Sequence, residues 1–232
     1  MNNLNIFNSL LLTGVLFGFL TYILIVRQSF KDKRFGMPLI MACANLSGDF
    51  ICSFVYPPSP LEKYVNMFWL LFDIIFVFQY LKYGQKEFPQ KLPKQLFYPH
   101  FAFVLLFSYF TTLCVIDSFF QEDYSNAFRF IGLAANFIMS ILFCSMVLRR
   151  NNLEGQSIYI ASFKLLASIF VALAFCLFSP MSSILYLCVV GFCVFDLIYF
   201  VLVYRETRNM HTLNLEETSN TKHSVKIATT QL

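Results

Sequence analysis

The stretch FGMPLIMACANLSGDFICSFVYPPSP, Phe35–Pro60, decides the fold. From Pro38 to Val55 it holds about eighteen mostly apolar residues, enough to cross most of a bilayer. Two polar residues interrupt it. Asn45 and Asp49 stand four apart, so a helix places them on one face. An acid near the middle of a span costs about 2.5–3.5 kcal/mol on insertion scales, so it needs a partner or a task. The rest of the chain reads as a cage around this acid and two others like it.

The composition agrees. Of 232 residues, 58% are hydrophobic and only 13% charged, with 30 Phe and 12 Tyr. A soluble domain keeps about a quarter of its residues charged. The chain therefore reads as all-α and polytopic, an integral multi-pass protein of an inner, plasma or endoplasmic-reticulum membrane. The net charge of +4 is dispersed between apolar runs and forms no dense patch, which excludes nucleic acid as a partner. Seven Cys lie inside the apolar runs without a CxxC. An odd count with no such pair indicates neither a disulfide framework nor a zinc site.

Seven spans are expected, at about 7–26, 38–55, 64–81, 97–116, 126–148, 158–178 and 182–204. Their connections alternate in charge. The first has Arg27, Lys31, Lys33 and Arg34, and the third has Lys82, Lys86, Lys91 and Lys94. The fifth has Arg149 and Arg150, and Arg205, Arg208, Lys222 and Lys226 follow the last span. Between them, the second connection has Glu62 and Lys63, the fourth only acids, and the sixth no charge. Basic connections face the cytoplasm, so the expected bundle has its N-terminus outside and its C-terminus inside. The third connection, with Gly84, Pro89, Pro93 and Pro99, reads as irregular. Residues 1–205 form one transmembrane domain, and 206–232 read as a polar, disordered tail.

Three acids fall deep in spans: Asp49 in the second, Asp73 in the third and Asp196 in the seventh. At 1.5 Å per residue all three lie within about 10 Å of the midplane and could share a pocket. Each has company at helical spacing: Asn45 before Asp49, Trp69 before Asp73, Tyr199 after Asp196. The fifth span adds Asn136 and Ser140, four apart. Such groups can orient a carboxyl, and a carboxyl in a water-poor pocket can stay protonated. Lys164 lies near the cytoplasmic end of the sixth span, where its ammonium is expected to snorkel outward. No DDxxD or DxDD cluster and no Gly-rich phosphate loop occurs, and the last span has no Lys at its middle. The His residues, 100, 211 and 223, lie at a span mouth and in the tail, which argues against a metal centre or a Ser-His-Asp triad in the bundle.

These residues resemble the small, seven-span integral-membrane terpene cyclases of fungal meroterpenoid and indole-diterpene pathways. The resemblance rests on Gly36-Met37-Pro38 followed by Asn45 and Asp49, and on Trp69-x3-Asp73 with Lys82-Tyr83-Gly84. It continues in Gly155-Gln156-Ser157 and Asp196-x2-Tyr199. It implies acid-initiated, non-redox cyclisation of a lipophilic prenylated substrate, with protonation of a terminal epoxide or alkene and no cofactor or metal. It further implies Asp49 and Asp196 as catalytic acids, Asn45, Trp69, Asp73, Tyr199 and Asn136 as orienting or pocket residues, and aromatic walls against the cations. Membrane lipid and neighbouring biosynthetic enzymes are the implied partners beside the substrate. The family commonly reads Trp-Glu where this chain reads Gly48-Asp49. The acid is one methylene shorter and the indole is gone, which leaves open a different substrate, a different acid (Asp73 or Asp196) or a relative without catalysis. Read from the residues alone, a seven-span carrier or receptor binding a proton or ligand at its midplane acids stands beside the cyclase. So does a structural role in which the acids only join helices.

Overall fold

A computed structural model describes residues 2–119, 123–150, 152–178 and 182–230, and the side chains of these except at 2, 3, 61, 119 and 211–230. It contains seven α-helices: α1 (Asn2–Asp32), α2 (Leu39–Phe50), α3 (Pro60–Tyr83), α4 (Phe97–Phe119), α5 (Tyr124–Arg150), α6 (Ile158–Phe178) and α7 (Ser183–Thr230). No strand occurs among the described residues. Among the described residues, six helices are long and apolar enough to cross a membrane. The remaining apolar helix is the decisive stretch itself, Leu39–Val55, and it is shorter. Side chains beyond 210 in the expected tail lie outside the described residues.

Local chemistry sets these ends. Pro38 precedes the first turn of α2 with extended backbone (φ −57°, ψ 137°). After Phe50 the helix widens into a single π turn, Ile51–Val55, of the kind often found at functional sites. It stops at Tyr56, whose backbone is non-helical before Pro57 and Pro58. Ser59 then caps α3, its Oγ accepting the Glu62 N–H at 3.2 Å, with Pro60 at the first helical position. The third connection is irregular, with two short 3₁₀ turns, Gly84–Lys86 and Lys94–Leu96.

The helices pack as two groups. α1 lies against α6, with α5, α6 and α7 beside it; α2 packs on α3 and α4. Contacts of α2 with α5, of α1 with α3 and of α4 with α5 join the groups. Gly14 lets α1 approach α6 closely: a Cβ there would meet Val171 at 2.8 Å. The outer surface is apolar, with Phe103, Leu106, Phe107 and Phe110 of α4 exposed, as a lipid-facing helix requires. The protein is an integral, multi-pass membrane protein.

One end of the bundle is closed by an ion cluster that gathers the first, third and fifth connections. Arg34, Arg149 and Arg150 surround Glu87, the closest contact being Arg150–Glu87 at 2.7 Å. Arg34 also pairs with Glu154 at 2.9 Å. Arg150 donates to the carbonyls of Phe35 and Glu154, both at 2.8 Å, and lies over the Phe35 ring. The Gly36-Met37-Pro38 and Gly155-Gln156-Ser157 motifs meet here. A Cβ on Gly36 would strike Ser29 at 2.6 Å and the Gly155 carbonyl at 2.8 Å. Gly155 adopts a φ of 76°, open to glycine, and its N–H donates to Asp32. Gln156 donates to the Gly36 carbonyl at 3.1 Å, and the Tyr199 hydroxyl donates to Gln156 Oε1. These motifs hold three connections in one place.

Candidate functional site

Between the two helix groups lies a cavity of about 420 Å³. Its walls come from α1 (Tyr22), α2 (Asn45, Asp49), α3 (Trp69), α5 (Asn136, Phe143) and α6 (Lys164, Ser168). Asp49 is half-buried and opens onto this space. A second chamber of about 660 Å³ adjoins the first and shares Asn45, Asp49, Phe128, Arg129, Gly132 and Phe175 with it. Asp49 therefore stands where the two meet. Arg129, on the same boundary, lies over the Phe175 ring at 4.9 Å.

Two of the three membrane acids form one unit. Asp73 is fully buried, and its carboxyl lies close enough to that of Asp49 for the two to act on each other electrostatically. Among the described residues, no amide, hydroxyl or basic donor reaches either Asp73 oxygen. Above the pair, Asn45 Nδ2 donates to the Tyr22 hydroxyl at 2.8 Å. Tyr22 in turn meets Trp69 edge-on, ring centroids 4.9 Å apart, within a cluster that includes Phe19, Phe72 and Phe76. α1, α2 and α3 thus place an acid pair beside an aromatic wall.

The third acid is differently placed. Asp196 of α7 is fully buried and does not line the cavity. Lys164 Nζ approaches its two oxygens at 2.7 and 3.0 Å, and the Ser168 hydroxyl donates to it as well. Lys164 also donates to Ser140 Oγ at 2.9 Å, which ties α5 into the same cluster. The expected snorkelling of Lys164 is therefore corrected: it turns inward because an anion and a hydroxyl wait for it there. Lys164 and Ser168, one turn apart on α6, present the pair to the cavity, and Asp196 sits behind them.

Of the residues singled out in the sequence, Asp49, Asn45, Trp69 and Asn136 line the cavity, and Asp73 backs Asp49. Tyr199 is fully buried, packs on Phe143 at 5.2 Å and gives its hydroxyl to Gln156. Tyr22, Lys164 and Ser168 are the site residues that sequence reasoning missed. Lys164 and Ser168 carried a signal, polar residues at i and i+4 inside an apolar span. Tyr22 carried none, being one of twelve tyrosines.

Residues 3–209 match the Pyr4-like transmembrane terpene cyclases. The chain is 27% identical to the Pyr4-family terpene cyclase mfmH of Annulohypoxylon moriforme over 157 residues, which cover 66% of this chain and 63% of that relative. It is 31% identical to the terpene cyclase macJ of Penicillium terrestre over 81 residues, 34% of this chain and 31% of that relative. It is 25% identical to the terpene cyclase pyr4 of Aspergillus fumigatus over 69 residues, 29% of each chain. These alignments span less than two thirds of each relative's length. No solved structure matches. The match across nearly the whole membrane region, with the acid-lined cavity between the helix groups, shows that the chain belongs to the family of Pyr4-like transmembrane terpene cyclases.

Proposed function

We propose that this terpene cyclase-like membrane protein cyclises a lipophilic prenylated substrate by protonating its terminal epoxide or alkene. The observation that carries the reading is the placement of Asp49, backed by the buried Asp73, on the wall of an aromatic cavity. Asp49 is the acid, since it faces the cavity. Asp73 holds the shared proton and steadies the conjugate carboxylate once the proton has left, and the cyclised cation then loses a proton to that carboxylate, which restores the acid. A buried neutral carboxyl is a competent general acid, worth about 10²–10⁴-fold. Cation–π contact with Trp69, Tyr22, Phe143 or Phe175 then stabilises the cation by about 2 kcal/mol where it is desolvated. Walls that exclude water keep the cation from being quenched.

Asp196 acts in this scheme as a positioning residue. Its charge is matched by Lys164, so it fixes the α5–α6–α7 side of the cavity rather than giving up a proton. The basic connections gathered around Glu87 set the orientation, with that end in the cytoplasm and the N-terminus outside.

The test is product formation in membranes carrying the full chain, supplied with a panel of prenylated phenols and their terminal epoxides. Cyclised product is expected from the wild type and not from Asp49→Asn at equal protein level. Equal product from both would overturn the assignment of the acid.

A further inference from the structure

Resting on the reading of Asp49 as the acid, we infer that the Tyr22 hydroxyl is a second hydrogen-bond donor to the oxygen on which Asp49 acts. The first observation concerns where hydroxyl hydrogens go. Among the described residues, three hydroxyl side chains line the first cavity: Thr21, Tyr22 and Ser168. Thr21 donates to the Phe17 carbonyl at 2.8 Å, and Ser168 donates to Asp196. Both hydrogens are taken by the protein. The Tyr22 oxygen instead accepts, from Asn45 Nδ2 at 2.8 Å. Among the described residues no carbonyl or carboxylate takes the Tyr22 hydrogen, and neither Asp73 oxygen has a donor. A phenol both accepts and donates, so with its acceptor side engaged the O–H is left for a ligand. Tyr199 is the contrast: its hydroxyl donates to Gln156, away from the cavity.

The second observation is placement. Asn45 ties Tyr22 to α2 one helical turn from Asp49, and all three line the same cavity. The Tyr22 ring meets Trp69 and Phe76 edge-on, with centroids 4.9 and 5.0 Å away, so packing fixes where the hydroxyl stands. An epoxide oxygen has two lone pairs. One takes the proton of the Asp49 carboxyl, and the other takes the Tyr22 hydrogen bond. The bond from that oxygen to the tertiary carbon breaks, its electron pair stays on the oxygen as an alcohol, and the next alkene closes on the carbon. Tyr22 keeps its proton throughout, and Asp49 recovers one from the cyclised cation. A donor held in place before the charge develops needs no reorganisation when the bond breaks. A plain alkene has no lone pair, so the Tyr22 hydroxyl contributes only where an oxygen reacts.

Two arms test this in the full chain in nanodiscs. The first reads binding without chemistry, through the fluorescence of Trp69, the chain's one tryptophan, on the cavity wall. Asp49→Asn, alone and combined with Tyr22→Phe, is titrated with farnesylbenzene and with its terminal epoxide, in which the epoxide holds the sole oxygen. Tyr22→Phe is expected to weaken epoxide binding by about fivefold and to leave the hydrocarbon unchanged. The second arm reads turnover of terminal epoxides. Tyr22→Phe should lower kcat several-fold, and should do so again in an Asn45→Ala background. A fluorotyrosine in place of Tyr22 donates more strongly but has a weaker ring face toward cations, so kcat should hold or rise. Equal effects of Tyr22→Phe on the two probes, no effect on either, or binding of neither would overturn the proposal. So would slower turnover with fluorotyrosine, which marks a wall residue, or no cost of Tyr22→Phe once Asn45 is gone, which marks an anchor. Where the supplied epoxides are not turned over, the binding arm decides by itself. Failure of Asp49 as the acid is seen separately, as full product from Asp49→Asn before any titration.

Discussion

The molecule holds its membrane carboxyls in two settings, and the proposed function gives them opposite work. On the α2–α3 side, Asp49 and Asp73 lie near each other, and no amide, hydroxyl or basic donor reaches Asp73 among the described residues. On the α5–α6–α7 side, Asp196 is matched by Lys164 and bonded by Ser168. In the proposed scheme the first pair shares a proton, whereas the second is an ion pair with Lys164. The first can deliver a proton to a ligand. The second can hold three helices in register. Residue type and span placement do not separate them; the group reached across the bundle does.

The largest expected effect breaks the first pair. Asp49→Asn keeps size and hydrogen bonding but removes the acid, so turnover should fall by about 10²–10⁴-fold with protein abundance unchanged. Product formation per unit of immunodetected protein measures it. If Asp196→Asn gave the same loss with its stability intact, the division of labour between the two sides would be wrong.

The next expected effect is on stability and comes from the second pair. Lys164→Met strands a buried carboxylate, and removing one partner of such a pair costs about 3–5 kcal/mol. The double variant Lys164→Met, Asp196→Leu leaves no charge behind and should recover most of that loss. Thermal unfolding in detergent checks both. Equal destabilisation by the single and double variants would mean that Lys164 and Asp196 are not coupled.

Asp73→Asn comes third. Its amide can donate to Asp49, which favours the Asp49 carboxylate over the acid, so turnover should fall by about tenfold or more while the fold persists. The comparison sharpens if the same change at Asp73 is tolerated in abundance where Lys164→Met is not.

The sequence carried the all-α, multi-span architecture because an apolar run long enough to span leaves few alternatives, and because the charge of the connections alternates. It carried the family, through motifs whose physical work only the structure explains: Gly36 and Gly155 are needed because two connections touch. It carried Asp49, Asn45 and Trp69 as candidates, since a polar or amphipathic residue inside a span stands out. It could not pair Asp49 with Asp73, which are 24 positions apart on different helices, nor turn Lys164 inward toward a carboxylate 32 positions on. A lysine near a helix end reads equally well as snorkelling or paired until its partner is known. Gly48 was legible only as a departure; that its Cβ would meet open space needed coordinates.

The smallest effects come from making one substitution on both sides. Tyr22→Phe removes the hydroxyl that accepts from Asn45 at the cavity wall. Asn45 lines that cavity and can turn to another partner, so stability should change by no more than about 1 kcal/mol. Turnover should fall several-fold, because Asn45 stands one helical turn from Asp49 and loses its anchor. Tyr199→Phe removes the hydroxyl that donates to Gln156, a residue only 1% exposed, and leaves the Gln156 acceptor without it in a closed setting. That costs about 1–3 kcal/mol of stability. The two phenylalanine variants should therefore separate on a plot of unfolding temperature against turnover, one displaced along each axis. Displacement of both along the same axis would show that the α2–α3 acid pair and the α6–α7 ion pair belong to one functional unit rather than two.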